Sequence, residues 1–267
     1  MIDMRSIWSG VLSFGLINIP VKLYSATAGT ELKFNMLHKK DLSPIRYAKV
    51  CKADGKELAM ADIVKGYEYQ EGDFVILTDE DFKKVNRKKS ETVDVIDFVK
   101  ESEISFIYFE KPYYLEPDKG AGKAYGLLID ALKKAKKVGV AKFVLHNKEH
   151  LGIIKPNENY LVLEQMRFED EIAAPTTLNL PKHDTPRAKE LTMALSLIEH
   201  LTEKFKIGDY HDTYKEEMNA MIKSKVKGAK PKKKTDDKAP TPSKSADLML
   251  LLKESLERAK HQPVAQA

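Results

Sequence analysis

Candidate nucleophiles, acids and metal ligands are scattered along this chain, and their spacing decides whether any can act together. Pro117–Tyr125, PDKGAGKAY, holds a Gly-x-Gly-Lys. A phosphate-cradling Walker loop needs glycine where Pro117 stands and serine or threonine where Ala124 stands. A glycine-rich turn leading into a helix is the simpler reading. His146 and His150 have the spacing of two zinc ligands, but Cys51 is the only thiol and neither HExxH nor CxxC occurs. A surface turn carrying two histidines explains them. Glu199-His200 reads as a helix-surface pair, and Asp79-Glu80-Asp81 as a helix start. There is no Gly-x-Ser-x-Gly elbow. No constellation for a reaction assembles, so the chain is expected not to be an enzyme, with no cofactor and no metal.

Cations interleaved with aromatics remain. Arg46-Tyr47 is followed by Lys49 and Lys52, five of the seven residues in Lys83–Lys89 are basic, and Lys133–Lys137 and Lys148 add more. Each alone reads as a solvated face. Their recurrence matters because of how charge is divided. The net charge is +5, but Lys223–Lys244 holds nine lysines and two aspartates, and Ser245–Ala267 is neutral. The first 222 residues therefore carry −2. If such a body binds nucleic acid, its cations must be gathered on one surface.

These residues need elements to hold them. Ser6–Tyr24, SIWSGVLSFGLINIPVKLY, alternates with period two. Trp8, Leu12, Phe14 and Leu16 share one face; Ile17, Ile19, Val21 and Leu23 also alternate. Gly10 and Gly15 mark bends or close backbone approach, and Pro20 an edge or break. Two apolar strands opening a barrel or strongly curled sheet result, although an ordinary first hairpin of any β domain fits the pattern too. Asp54-Gly55 signals a tight turn. Lys65–Gln70 and Asp73–Thr78 read as short strands. Asp79–Lys89 runs from acids to bases, as a helix does to suit its dipole. Thr92–Val99 and Glu103–Tyr114 read as strands, and Gly120–Lys137 as a helix stopped at Gly139. Val140–His146, Leu151–Lys155 and Tyr160–Met166 continue the sheet, with Pro156-Asn157 as one turn.

Asp170–Pro186 is a proline-punctuated break. Arg187–Phe205 then carries Leu191, Leu195, Ile198, Leu201 and Phe205 on one helical stripe, and Tyr214–Val226 carries Met218, Met221 and Ile222. Lys223–Lys244 is low-complexity and expected to be disordered. Asp247–Arg258, DLMLLLKESLER, is a short amphipathic helix with Leu248, Leu251, Leu252 and Leu256 on one side. It has no core of its own to pack against, as a docking peptide would. At 267 residues the chain can bury a proper core. A single cysteine points to a reducing compartment, and neither a membrane span nor a secretory leader is expected. The expected location is cytoplasmic.

Three blocks carry a family resemblance. SIWSGVLSFGLINIPVKLYSAT, KVCKADGKELAMADIVKGYEYQEGDFVILTDED and VLEQMRFEDEI resemble the prokaryotic Ku proteins. Ile19-Pro20 stands where Val-Pro is common in that family. The resemblance covers about Met4–Val226, and ESLERAK near the C-terminus is also family-like. It implies a mixed, β-rich α+β fold: a β-barrel core with a strand bridge forming a ring, then a helical arm and a disordered basic tail. The implied domains are 1–170 for the core and bridge, 171–226 for a helical dimerisation arm, and 227–267 for a basic linker with a docking helix.

The resemblance further implies a homodimer that threads double-stranded DNA ends without reading sequence. It would act in non-homologous end joining, at the nucleoid, and recruit the ATP-dependent DNA ligase D. Arg46–Asp79 would bridge the DNA and Arg187–Val226 would embrace the second subunit. Arg46, Lys49, Lys52, Lys65, Arg87, Lys88 and Lys148 are the expected DNA contacts. Leu248, Leu251, Leu252 and Leu256 are the expected ligase-docking residues. His146-Asn147-Lys148 stands where family members often carry arginines. Two other classes stay open at this point: a nucleic-acid-binding regulator built on a small barrel, and an enzyme with a metal site at His146/His150.

Overall fold

The computed structural model describes residues 4–29, 31–86, 91–180, 188–228 and 248–261. The chain divides into two compact units, Met1–Pro175 and Thr176–Ala267. In the first, alternating apolar residues build strands that close on themselves. β1 (Ser6–Phe14) and β2 (Ile17–Ser25) form the opening hairpin, and β3 (Lys65–Gln70) and β4 (Asp73–Leu77) a separate one. α1 (Asp79–Asn86) and β5 (Thr92–Val99) follow, then β6 (Phe109–Pro117) and α2 (Gly122–Ala135). β7 (Val138–Leu145), β8 (Lys148–Asn157) and β9 (Tyr160–Met166) complete the unit. The barrel order is β1-β2-β6-β9-β8-β7-β5. Every neighbour is antiparallel except the closing pair, where β1 and β5 run parallel from Val11↔Thr92 to Phe14↔Val95. Closure removes the unpaired edges that a sheet would expose.

The inward faces supply the core. Leu12, Ile19, Leu23, Val93, Leu161 and Leu163 are fully buried, and α2 adds Tyr125, Leu128, Ile129 and Leu132 to the same cluster. The Tyr125 hydroxyl donates to the Leu115 carbonyl at 2.6 Å and accepts from Leu161 N–H at 2.7 Å. It thereby ties the helix to the end of the β6–β9 ladder. Ile153 faces the other way, into a second cluster with Val138 and Met166. Pro20 sits one residue beyond the last β2–β6 pair, Val21↔Pro117, where no ladder donor is needed. Its carbonyl still accepts from Asp118 N–H at 2.9 Å.

Several expectations need correction. Leu16 is not on the core face of β1; it lies in the Gly15-Leu16 turn and is 100% exposed. The stretch Glu103–Tyr108 is not strand: short 3-10 turns at Glu101–Glu103 and Phe106–Tyr108 precede β6. α2 stops at Lys136, which takes a left-handed conformation (φ 51°), and Lys137 N–H closes on the Leu132 carbonyl. Gly139 lies inside β7 instead, where an added Cβ would sit 3.0 Å from Val95. It is a packing glycine, not a helix stop. Pro156 and Asn157 end β8, and the turn falls on Glu158-Asn159, with Glu158 at φ 46°. Gly139 and Pro156 share one physical reason: residue types that favour turns also serve inside strands, where packing is close or a ladder ends.

The second unit contains α3 (Ala188–His200), α4 (Thr213–Val226) and α5 (Leu248–His261). α4 includes Lys223 and Lys225, so the start of the lysine-rich stretch is helical; most of that stretch lies outside the described residues. α5 does have a surface to pack on, because it lies against α3 within this unit. No described helix is long and apolar enough to cross a membrane.

Trp8 is half-buried against the core and covers Gly10. Trp8→Ala is expected to lower stability by about 2–3 kcal/mol, below the range for a fully buried aromatic. Urea unfolding followed by circular dichroism measures this, since the substitution removes the only tryptophan.

Candidate nucleic-acid interface

The predicted contacts Arg46, Lys49 and Lys52 lie around one hairpin turn outside the barrel. Gly55, at φ 71°, lets the chain reverse. Cys51 N–H then bonds the Lys56 carbonyl at 2.9 Å, and Leu58 N–H the Lys49 carbonyl at 2.8 Å. Asp54 accepts from Lys56 N–H and pairs with its ammonium, contacts that hold the Asp54 carboxyl below its ordinary pKa. Arg46 reaches across to Glu57 at 3.2 Å. The Lys49 ammonium lies 2.9 Å from the Met60 sulfur, and Lys52 has no ion-pair partner among the described residues. Sequence reasoning missed Lys56, which the Asp54-Gly55 signal puts opposite Cys51. It also missed Lys39 and Lys40. They are exposed on a turn where Leu42 N–H bonds the His38 carbonyl and His38 meets Asp41 at 2.8 Å. The run His38-Lys39-Lys40-Asp41 carries that signal.

Lys65 opens β3, pairing with Asp79 at 3.2 Å while its ammonium lies 4.8 Å from the centre of the Phe82 ring. Every residue of β3 is exposed, including Tyr67 and Tyr69, and Phe74, Val75 and Ile76 of β4 are exposed too. Arg87 and Lys88 lie outside the described residues.

Lys148 stands apart, on the barrel. His146 and Asn147 both have positive φ (52° and 64°), the mark of a two-residue hairpin turn between β7 and β8. Lys148 follows and pairs with Glu171 at 2.9 Å. Glu171 also accepts from Phe168 N–H at 2.9 Å. These contacts hold its carboxyl below the ordinary range, the lysine bond first, and the same pair raises Lys148. His150 is half-buried, its ring 5.4 Å from Phe143 and its Nε2 3.3 Å from the Leu145 carbonyl. Burial lowers its pKa and favours the neutral ring. Its neighbour His146 sits at the turn. Among the described residues no three His, Cys, Asp or Glu side chains gather to hold a metal.

Three of the five described cations are therefore already paired with carboxylates, on side chains 83%, 65% and 64% exposed for Arg46, Lys65 and Lys148. Such solvent-exposed pairs are worth at most about 1 kcal/mol. A phosphate can replace the carboxylate at little cost, gaining a charge-assisted hydrogen bond in exchange. Lys148 is the least available, because Glu171 is fixed by a second bond.

The predicted docking leucines lie on α5. Leu251, Leu252 and Leu256 are half-buried; the side chain of Leu248 is outside the described set. Met249 and Leu250 of the same helix are exposed, as are Leu191, Leu195 and Ile198 of α3.

Comparison with known proteins places this geometry. Residues 13–193 match the family model for the Ku70/Ku80 beta-barrel domain. The non-homologous end joining protein Ku of Opitutus terrae is 45% identical over 259 residues, 96% of this chain and 92% of its own length. The protein of the same name from Bacillus subtilis is 40% identical over 261 residues, 97% of this chain and 84% of its own. That from Archaeoglobus fulgidus is 40% identical over 228 residues, 84% of this chain and 89% of its own. A closed barrel whose strands β2 and β5–β9 fall in the matched region and relatives aligned over nearly the whole chain agree: this protein belongs to the Ku family of non-homologous end joining proteins.

Proposed function

We propose that the chain is a non-catalytic homodimeric clamp, through which double-stranded DNA ends thread, and that it recruits DNA ligase D in end joining at the nucleoid. The observation that carries this is the segment between β2 and β5, residues 26–91. It sets cations beside exposed aromatic and aliphatic side chains, and none of its described residues joins the barrel core. An isolated two-stranded hairpin is marginal in water. The exposed face of β3 and β4 therefore calls for cover, and a second copy of the chain or a duplex supplies it. A clamp that accepts any broken end has to read backbone and not bases, so lysine and arginine aimed at phosphates are the right chemistry. Enclosure then confers end preference with no reaction: linear DNA enters a closed ring, and a covalently closed circle does not.

Among the expected contacts, Lys49 and Lys52 are the first cations a phosphate would meet, because no carboxylate among the described residues holds them. Arg46 and Lys65 follow by exchanging Glu57 and Asp79. Arg87 and Lys88 stay in the proposal on sequence grounds. The exposed stripe Leu191, Leu195 and Ile198 of α3 offers the apolar centre of a dimer contact. For ligase docking, α5 presents Met249 and Leu250 while it rests on α3; half-buried Leu251, Leu252 and Leu256 become fully available only once the helix leaves it, and Leu248 stays in the proposal on sequence grounds.

Competition between linear and covalently closed duplexes tests the clamp. The circle is expected to compete poorly, and equal competition would sink threading. Replacing Lys49 and Lys52 by alanine should weaken end binding and flatten its salt dependence, by about 0.9 in slope for each phosphate no longer neutralised. Sedimentation at micromolar concentration should give a dimer that Leu195→Asp converts to monomer. Deleting residues 245–267 should leave end binding intact and abolish ligase stimulation; stimulation that survives would remove α5 from the docking role.

A further inference from the structure

The outer wall of the barrel carries a built aromatic groove that holds none of the proposed phosphate contacts. Its volume is about 670 Å³, and its walls include Met4, Tyr24, Tyr114, Glu116, Tyr125 and Tyr160. Strand register explains the gathering. Tyr24 lies opposite Tyr114 across β2 and β6, and Glu116 follows Tyr114 by two residues on the same face of β6. Tyr160 opens β9, its ring 5.4 Å from Tyr114 and edge-on to it at 87°. The walls are held in place. The Tyr160 hydroxyl oxygen accepts from the Asn157 side-chain amide at 2.8 Å, the Tyr24 hydroxyl donates to Glu116 at 2.5 Å, and Lys133 donates to the Glu158 carbonyl beside the rim. Tyr125 closes the floor with both hydrogen bonds of its hydroxyl spent on the barrel backbone.

The charge of the groove is one-sided. Glu116 is the only ionisable carboxylate among the described lining residues, and no lysine, arginine or histidine joins it. Lys22, its register neighbour on β2, turns instead to Asp118 at 3.3 Å. Glu116 keeps one carboxylate oxygen with no partner among the described residues, and so does the Tyr114 hydroxyl. Electron-rich ring faces around an unneutralised carboxylate select a cation. The planar guanidinium suits them better than an ammonium, since it stacks on tyrosine and forks onto a carboxylate together. We propose that this groove is a docking site for an arginine side chain presented by a peptide segment of a partner protein. It is independent of the DNA clamp, because none of its residues is among the proposed phosphate contacts.

Full-length protein carrying 3-fluorotyrosine, titrated with acetyl-Gly-Arg-Gly-amide and followed by fluorine NMR, tests this. Saturable shifts are expected at Tyr24, Tyr114 and Tyr160. Binding should weaken about tenfold when citrulline replaces arginine, which loses the cation–π contact and the charge-assisted hydrogen bond, or with Glu116→Gln, which loses the charge-assisted hydrogen bond. Linear-duplex binding by Glu116→Gln should be unchanged, which also reports that the variant folds. Absence of a saturable shift at millimolar peptide overturns the site, and so does equal binding of the citrulline peptide, a comparison that needs no variant. Dissociation of a dimer by the arginine peptide would assign the groove to a second copy of this chain and overturn a separate partner.

Discussion

Barrel closure depends on a place where a side chain has no room. At Gly10 an added Cβ would lie 2.3 Å from the Glu91 carbonyl oxygen and 2.4 Å from the Trp8 ring. The next residue, Val11, donates its N–H to that same carbonyl at 2.8 Å. From there β1 and β5 run side by side, and their parallel pair joins the two ends of the sheet. Contacts under 3.0 Å to backbone cannot be relieved by a rotamer change, so closure requires glycine at this position. Trp8 lies across the missing side chain and seals the seam. The fully buried residues on the inner faces of the strands depend on closure, because an open sheet would leave two edges and part of the core to water.

Closure also shows what is surplus. β2 ends at Ser25, near the start of β1, and β5 begins at Thr92 beside Val11. The connection has only to cross β1, and a short loop would do it. Residues 26–91 do far more. Stretches beyond about 12–15 residues without strands or helices of their own are uncommon in compact domains and usually functional, and residues 31–59 of this connection hold only turns and isolated bridges. This one carries Arg46, Lys49, Lys52 and Lys65, with Tyr67, Tyr69 and Phe74 exposed beside them. The barrel is a mount, and the excursion is what it holds out.

How far all this could be read from residue order depends on which physics is local. Period-two alternation is local, so Leu12, Ile19, Val21 and Leu23 announce their burial, and the Glu71-Gly72 turn announces β3 and β4. Gly139 and Pro156 mislead because their meaning is tertiary: one leaves room for Val95 and the other ends a strand the barrel extends. The α5–α3 contact is equally invisible, since an amphipathic helix does not state which surface it meets. Cations are the hardest to read. Lys52 and Lys148 look alike in sequence, and only the structure separates a lysine with no carboxylate partner among the described residues from one held by Glu171. The groove of Tyr24, Tyr114 and Tyr160 has no sequence signal either, because its residues come from three strands.

The same separation reconciles a body with a net charge of −2 with the proposed phosphate-binding surface. Carboxylates on the excursion are placed as partners of cations: Glu57 with Arg46, Asp54 with Lys56, Asp79 with Lys65. In free protein they screen the positive charge and limit self-repulsion. In the proposed complex a duplex, whose charge density is much higher than that of a lone carboxylate, would outcompete them for the same donors. Because each pair is solvent-exposed, the exchange carries little desolvation cost in either direction. A buried set of pairs would hold its geometry better but would not let go. Exposed pairing therefore suits the proposed phosphate-binding surface, since each cation can exchange its partner without a buried charge being left behind.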